Sequence, residues 1–209
     1  MGQDPSDRKS HWESIYASRP PEALSWHQAD PAPSIQMIRQ AMPELEAPII
    51  DVGGGASRLA DALLAEGYRD LTVLDISATA LAQARLRLGP AAAAITWIEA
   101  DVTRFRPQRR YRLWHDRAVF HFLTDAEDRR RYVAALDAAL EPDGQLIIAS
   151  FAIGGPERCS GLEIVQYDAP MLSAALGDAY VLTAQQDLIH RTPAGSEQAF
   201  SFFRWRRRN

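Results

Sequence analysis

Residues 49–57 read Ile49-Ile50-Asp51-Val52-Gly53-Gly54-Gly55-Ala56-Ser57 and decide the fold. A short apolar run carries an acid near its end, breaks into three glycines and then enters helical spacing, with Leu59, Leu63 and Leu64 ahead of Gly67. A buried strand, a tight turn and a helix account for that order. Glycine lets the backbone turn sharply and lets a ligand approach where any Cβ would collide.

Outward from this loop the same rhythm repeats. The pattern predicts strands over residues 47–52, 71–74 (ending at Asp75), 95–98 (ending near Glu99-Ala100-Asp101), 111–115 and 145–151. Helices are predicted over residues 57–66, 78–88 (closed by Gly89-Pro90) and 125–140, the last with Tyr132, Val133, Leu136 and Leu140 on one side. Pro142-Asp143-Gly144 reads as a turn before the fifth strand. Strands separated by helices imply a parallel sheet covered on both faces, and right-handed crossovers make it doubly wound.

The rhythm changes near the end. After a short helix near residues 168–176, two strands (180–189 and 198–205) flank the turn Thr192-Pro193-Ala194-Gly195 with no room for a helix between them. They pair antiparallel. The expected fold is thus α/β: a doubly wound, seven-stranded, mostly parallel sheet with a C-terminal antiparallel hairpin. Residues 1–46 are expected to form an N-terminal helical arm over the active site, with helices around 10–18 and 33–42. Residues 47–209 form the cofactor-binding domain.

Composition bounds the function. The 209 residues, 46% apolar, suit one globular domain. No apolar stretch approaches the roughly 20 residues that span a bilayer, and residues 1–19 lack an apolar signal core. A single cysteine, Cys159, excludes an internal disulfide and a cysteine zinc cluster. A cytoplasmic protein with no membrane partner is expected. The formal charge of −4 argues against broad nucleic-acid binding. The run Arg204-Trp205-Arg206-Arg207-Arg208 reads as a solvated, frayed end.

In an open α/β sheet, ligands sit beyond the carboxyl ends of the strands where strand order reverses. Asp51, Asp75, Asp101 and Asp116 fall at four such ends. Each has a local alternative as a helix cap, a turn cap or a solvated charge. Together, beside a glycine loop, they point to one ligand crevice. Asp75 lies 20 positions beyond Gly55, where a ribose-binding acid is expected.

These segments make residues 49–151 resemble the core of class I S-adenosylmethionine-dependent methyltransferases. Asp51-Val52-Gly53-Gly54-Gly55 matches that family's acid-x-Gly-x-Gly, Leu74-Asp75-Ile76-Ser77 its second-strand end, and Glu99-Ala100-Asp101-Val102 the segment after its third strand. Residues 114–123 are similar to its fourth-strand segment, and Pro142-Asp143-Gly144 to the turn before its fifth. His11-Trp12-Glu13-Ser14-Ile15-Tyr16, with Ser25-Trp26, resembles the cofactor-covering arm of some small members. Ser57 stands where the fuller pattern has a third glycine, and its hydroxyl suits a helix cap.

The resemblance implies S-adenosylmethionine as cofactor, with no metal and no enzyme nucleophile. It implies that Gly53, Gly54 and Gly55 admit the methionine portion and that Asp51 orients groups near the cofactor's amino group. Asp75 would accept from the ribose hydroxyls, Ile76 pack on the adenine, and Asp101 accept from the adenine amino group beside the Val102 backbone. Asp116 counts with the cofactor set, and Tyr16 and Trp26 would close over it or serve as packing anchors. His121 is either a general base near neutral pH or a partly buried, hydrogen-bonded histidine. Cys159 reads as a wall residue, since no activating base is visible for a catalytic thiol. His190 is expected to be exposed. Arg117 and Arg158 are candidate partners for an acidic substrate.

The leading expectation is methyl transfer to a small molecule. A protein lysine methyltransferase and an NAD-dependent oxidoreductase are the alternatives, and a member that binds the cofactor without catalysis is a third. Asp101 and the terminal hairpin speak against the oxidoreductase. A nucleic-acid amino-methyltransferase is disfavoured because Asp116-Arg117-Ala118-Val119 lacks its Pro-Pro-aromatic loop.

Overall fold

The computed structural model describes residues 5–209, with side chains from residue 7. Two helices, α1 (Pro5–Ser18) and α2 (Ala32–Ala41), precede the first strand. Then β1 (Ile49–Val52), α3 (Leu59–Ala65), β2 (Leu71–Asp75), α4 (Ala78–Leu88), β3 (Ile95–Glu99), β4 (Tyr111–Arg117), α5 (Ala126–Ala139) and β5 (Leu140–Phe151) alternate along the chain. A small hairpin of β6 (Arg158–Cys159) and β7 (Leu162–Glu163) leads to α6 (Ala169–Leu176), β8 (Tyr180–Arg191) and β9 (Glu197–Arg207).

Seven strands form one sheet in the order β3-β2-β1-β4-β5-β9-β8. The first five are parallel, and β9 pairs antiparallel with both β5 and β8. The chain runs outward from β1 through β2 to β3, then returns to lay β4 on the other side of β1. Strand order therefore reverses at β1/β4, the point at which such sheets open a crevice.

Side-chain alternation sends neighbours on a strand to opposite faces. Trp114, Leu146, Ile148, Phe203 and Trp205 pack under α5 and α6 with Tyr132, Leu136, Leu172 and Tyr180. Leu113, Ile147, Ala149, Phe200 and Phe202 face the other way, toward Ile35, Ile38 and Met42 of α2 and Leu59 and Leu63 of α3. Each large apolar side chain buried this way contributes about 1.5–3 kcal/mol. Local signals end the helices where expected: the Ser77 hydroxyl accepts from the Ala80 amide at 3.1 Å to start α4, and Gly89 (φ 57°) closes it.

Three local expectations need correction, and one element was not foreseen. The Pro142-Asp143-Gly144 turn lies inside β5; Asp143 takes φ 58° and the β4–β5 register slips between Tyr111 and Leu113, so the turn is absorbed as an irregularity. The arginine-rich tail is not frayed. It is part of β9, because Phe203 and Trp205 are buried while Arg206 pairs with Asp143 (2.6 Å) and Arg207 donates to the Asp137 carbonyl (2.7 Å). Helix α1 begins at Pro5 rather than near residue 10, and the β6–β7 hairpin carried no recognised signal.

Asp116 illustrates how the face decides the role. In register, Asp51 stands beside His115 and Val52 beside Asp116. Asp116 therefore points to the α5 side, where it is fully buried and accepts from the Val119 amide (2.9 Å), the Phe120 amide (3.1 Å) and the Tyr132 hydroxyl (2.7 Å). The Tyr132 hydroxyl in turn accepts from the Trp114 indole N–H at 2.8 Å. Burial pushes the Asp116 carboxyl up to about 6, against the hydrogen bond from Tyr132 and those from the Val119 and Phe120 amides. Replacing Tyr132 with Phe removes one donor from a buried carboxylate and leaves the Trp114 N–H unpaired. We expect Tyr132→Phe to lower unfolding stability by about 1–3 kcal/mol at pH 8, read as a shifted urea midpoint at unchanged slope.

Candidate active site

The turn after β1 is held down by the Gly53 and Gly54 amides, both of which donate to the Leu74 carbonyl of β2 (2.7 and 3.3 Å). Gly53 has φ 69°, and a Cβ there would sit 2.0 Å from Val119 Cγ2. A Cβ on Gly55 would meet Asp75 Oδ2 at 2.6 Å. The loop thus forms a cradle without side chains at the carboxyl ends of β1 and β2. At its far end the Ser57 hydroxyl accepts from the Leu59 amide (3.1 Å) in a local turn; the N-cap of α3 is Arg58, which makes no side-chain cap, so Ser57 does not fill the capping role expected of it.

A partly open cleft lies over this cradle. Gly53, Asp75, Ile76, Asp101 and Val102 line it together with Trp12, Tyr16, Trp26, Arg117, Phe122 and Cys159. Asp51 and Gly54 border an adjoining cleft that shares Gly53, Tyr16, Trp26 and Arg117. Gly55 borders neither; it serves by passing close to Asp75.

Asp75 is almost fully buried, and its Oδ1 accepts from the Ser77 amide (2.8 Å). Burial pushes its carboxyl up to about 7, helped by the charges of Asp51 and Glu13 and opposed by the Ser77 and Ile76 amides. Because the folded value exceeds the unfolded one, this group stabilises the cofactor-free fold fully below about pH 4 and loses that contribution as pH rises through about 7. Asp101 accepts from the Thr103 amide (2.9 Å) and is paired by Arg8 of α1 (3.1 Å), which also binds Asp128 (2.6 Å).

Further arm contacts converge on the same rim. Glu13 receives the Ala78 and Thr79 amides (2.6 and 3.3 Å), placing its carboxylate on the positive end of α4. Gln83 of α4 donates to the Tyr16 carbonyl (2.9 Å). The Trp26 indole N–H donates to the Tyr16 hydroxyl (3.4 Å), and Trp12 meets the Trp26 and Phe122 rings edge-on at 5.7 and 5.0 Å.

Several residues stand elsewhere than expected. Asp116 lies beneath the sheet face and does not reach the cleft. His121 is fully buried and is absent from the cleft wall; it sits against the Phe122 and Phe151 rings (4.4 and 5.1 Å), with neither ring nitrogen hydrogen-bonded. Burial, and then the nearby Arg117 charge, push its pKa down to about 3, so it is a neutral apolar filler rather than a base near neutral pH. His190 is partly buried and its Nε2 binds the Ser25 carbonyl (2.8 Å), tying β8 to the arm. Cys159 is buried at the cleft, and burial pushes its thiol up to about 12, against the Arg117 charge.

Sequence reasoning missed three participants. His115 bridges Asp51 (Nδ1 to Oδ1, 2.7 Å) and Ser34 of α2 (Nε2 to Oγ, 3.0 Å), all three buried. The parallel register that pairs Asp51 with His115 was the available signal. Arg8 left no signal, since its partners lie 93 and 120 residues away. Among the described residues no cluster of three or more His, Cys, Asp or Glu side chains is placed to hold a metal ion, and no helix is long and apolar enough to cross a membrane.

Comparison with known proteins agrees with this geometry. A methyltransferase-domain profile matches residues 49–144. Among solved structures, the N-methyltransferase NodS from Bradyrhizobium japonicum WM9, in complex with S-adenosylhomocysteine, shares 18% identity at a TM-score of 0.72, over 99% of this chain and 100% of that one. The 1,6-didemethyltoxoflavin-N1-methyltransferase of Burkholderia thailandensis gives 19% and 0.72 over 100% and 92%. The glycopeptide N-methyltransferase MtfA, complexed with sinefungin, gives 16% and 0.67 over 90% and 97%. A search of curated protein sequences finds no match. Residues 49–144 match a methyltransferase domain, and the seven-stranded sheet around them is that of the Rossmann-like methyltransferase fold. The chain therefore carries a methyltransferase domain on the fold of solved S-adenosylmethionine-dependent methyltransferases. The oxidoreductase alternative falls away.

His121→Phe removes two unpaired buried nitrogens and keeps the ring volume. We expect urea midpoints equal to or above those of the wild type and an unchanged affinity for S-adenosylhomocysteine. A loss of binding in a stable variant would restore His121 to the site.

Proposed function

We propose that the enzyme methylates a small molecule, binding donor and acceptor side by side in the one cleft. The observation that carries this reading is the shared wall: the glycine cradle with Asp75, Ile76, Asp101 and Val102 on the donor side, and an aromatic compartment with Arg117 and Cys159 beside it. The cradle fits the donor, because the space a Cβ would fill at Gly55 is the approach to the Asp75 carboxylate, and Gly53 lets the backbone pass close under Val119.

S-adenosylmethionine supplies a methyl group already activated on a sulfonium sulfur. Asp75 would accept from its ribose hydroxyls, Ile76 cover one adenine face, and Asp101 with the Val102 backbone meet the adenine edge. Arg8 shields the Asp101 charge until that edge arrives. Asp51, fixed in orientation by His115, would face the donor's ammonium. Tyr16 and Trp26, on the arm of residues 1–46, would exclude water and hold the acceptor in line. Positioning of this kind supplies roughly 7–11 kcal/mol in favourable cases.

With Asp75 committed to the ribose, Tyr16 and Cys159 remain beside the aromatic walls, and neither is a base at neutral pH. Burial, with the Asp75 charge, raises the Tyr16 phenol well above its ordinary range, and the Cys159 thiol stays protonated. This favours an acceptor atom that is nucleophilic without help. A cleft roofed by α1 and Trp26 suits a small acceptor better than a lysine on a folded protein. The N-methyltransferases named above accord with a small-molecule or peptide-like acceptor. The cytoplasm suits the one free cysteine, Cys159.

Calorimetric titration tests the donor site. S-adenosylhomocysteine should bind at micromolar concentration and NAD should not; absence of binding by the first would overturn the reading. Asp75→Ala should weaken binding by about 1.5–3 kcal/mol. Only the Asp75 carboxylate accepts fully from two hydroxyls, so affinity should rise about tenfold between pH 6 and pH 8, through the carboxyl's value of about 7. Asp75→Asn should flatten that dependence.

A further inference from the structure

Arg117 ends β4 at the point where strand order reverses. Its Nη1 donates to the Trp26 carbonyl (3.0 Å), and its Cζ lies 4.7 Å from the centroid of the Phe200 ring. Its Nε and Nη2 are buried and make no hydrogen bond. Among the described residues no carboxylate comes within ion-pairing distance of it, and the nearby Asp51 is engaged by His115. The other cation on the cleft wall, Arg8, is already paired with Asp101 and Asp128.

A half-paired guanidinium beside a cleft is an unfavourable arrangement unless an anion completes it. Burial lowers the Arg117 pKa to about 10, so it remains cationic at neutral pH. Its planar fork matches a carboxylate. One unpaired positive charge suits a monoanion better than a phosphate. The surrounding walls, Trp12, Trp26 and Phe122, are aromatic.

We propose that Arg117 is the receptor for a carboxylate carried by the methyl acceptor, so that the acceptor is a small, largely apolar or aromatic carboxylic acid. This rests on the methyltransferase reading above. Phe200 of β9 and Cys159 of β6 place the guanidinium on the side of the cleft away from β2 and Asp75. Arg117 also borders the adjoining cleft that reaches Asp51 and Gly54, so the donor's own carboxylate is the competing source of the anion.

The test begins with the wild type saturated with S-adenosylhomocysteine; failure of that complex to form would sink the donor reading and this proposal with it, before any acid is added. Benzoate, phenylacetate and indole-3-acetate, each beside its primary amide, are then titrated by thermal shift and calorimetry. The expected result is that at least one acid binds and its amide does not. Arg117→Met should weaken that acid at least tenfold while leaving S-adenosylhomocysteine affinity within about threefold. Equal binding of acid and amide, no binding by any acid, or an unchanged response in Arg117→Met would overturn the proposal. So would a variant that loses S-adenosylhomocysteine affinity tenfold while the decarboxylated analogue binds both proteins alike, since the anion would then be the donor's. Should Arg117→Met fail to fold, Arg117→Lys, which keeps the charge but not the fork, and the acid-to-amide comparison in the wild type decide the matter.

Discussion

Three strand ends meet within a few ångströms at the turn after β1, and the arrangement tolerates no side chain there. The amides of Gly53 and Gly54 are tied to the Leu74 carbonyl. The missing Cβ of Gly53 is the space Val119 occupies, and that of Gly55 is the space beside the Asp75 carboxylate. The turn consequently fixes β1 against β2 and against the segment leaving β4. The cleft, its acids and its aromatic wall are defined relative to that contact. Packing of the two sheet faces stabilises the frame, but this close approach gives the frame a usable edge.

Charge around that edge is balanced by the arm. Arg8 neutralises Asp101, Glu13 takes up the amides at the start of α4, and Ser34 closes a chain through His115 to Asp51. Each contact joins a residue of the first 46 to a group at the carboxyl ends of the strands. The arm and this rim therefore share one electrostatic environment. The raised pKa of Asp75 belongs to the same balance: a buried acid near two other carboxylates, with only backbone amides to offset them.

On the opposite side of the cleft the balance is left open. Cys159 is neutral, and Arg117 keeps its charge with two nitrogens unmatched. A protein interior disfavours such a group unless something external completes it. The cleft thus sets the acids Asp75 and Asp101 against Arg117, the one cation on its wall that has no carboxylate partner among the described residues.

From the sequence alone came the alternation of strands and helices, the parallel sheet with its terminal hairpin, and the glycine turn with Asp75 and Asp101 beyond it. These are local properties: periodicity, capping and the conformational demands of glycine are written in neighbouring residues. The faces were decided by the tertiary structure. Asp51 and Asp116 look alike in sequence, yet the two-residue period along paired strands turns Asp51 to His115 and Asp116 to Tyr132. His121 reads as a base until the fold seals it among Phe122 and Phe151. The arginine tail reads as a frayed end until β5 and β8 enclose it. Arg8 and Arg117 acquire their meaning only from partners, or the lack of partners, far away in the chain. Such roles depend on which charges end up side by side in a low-dielectric interior, and only three-dimensional packing sets that.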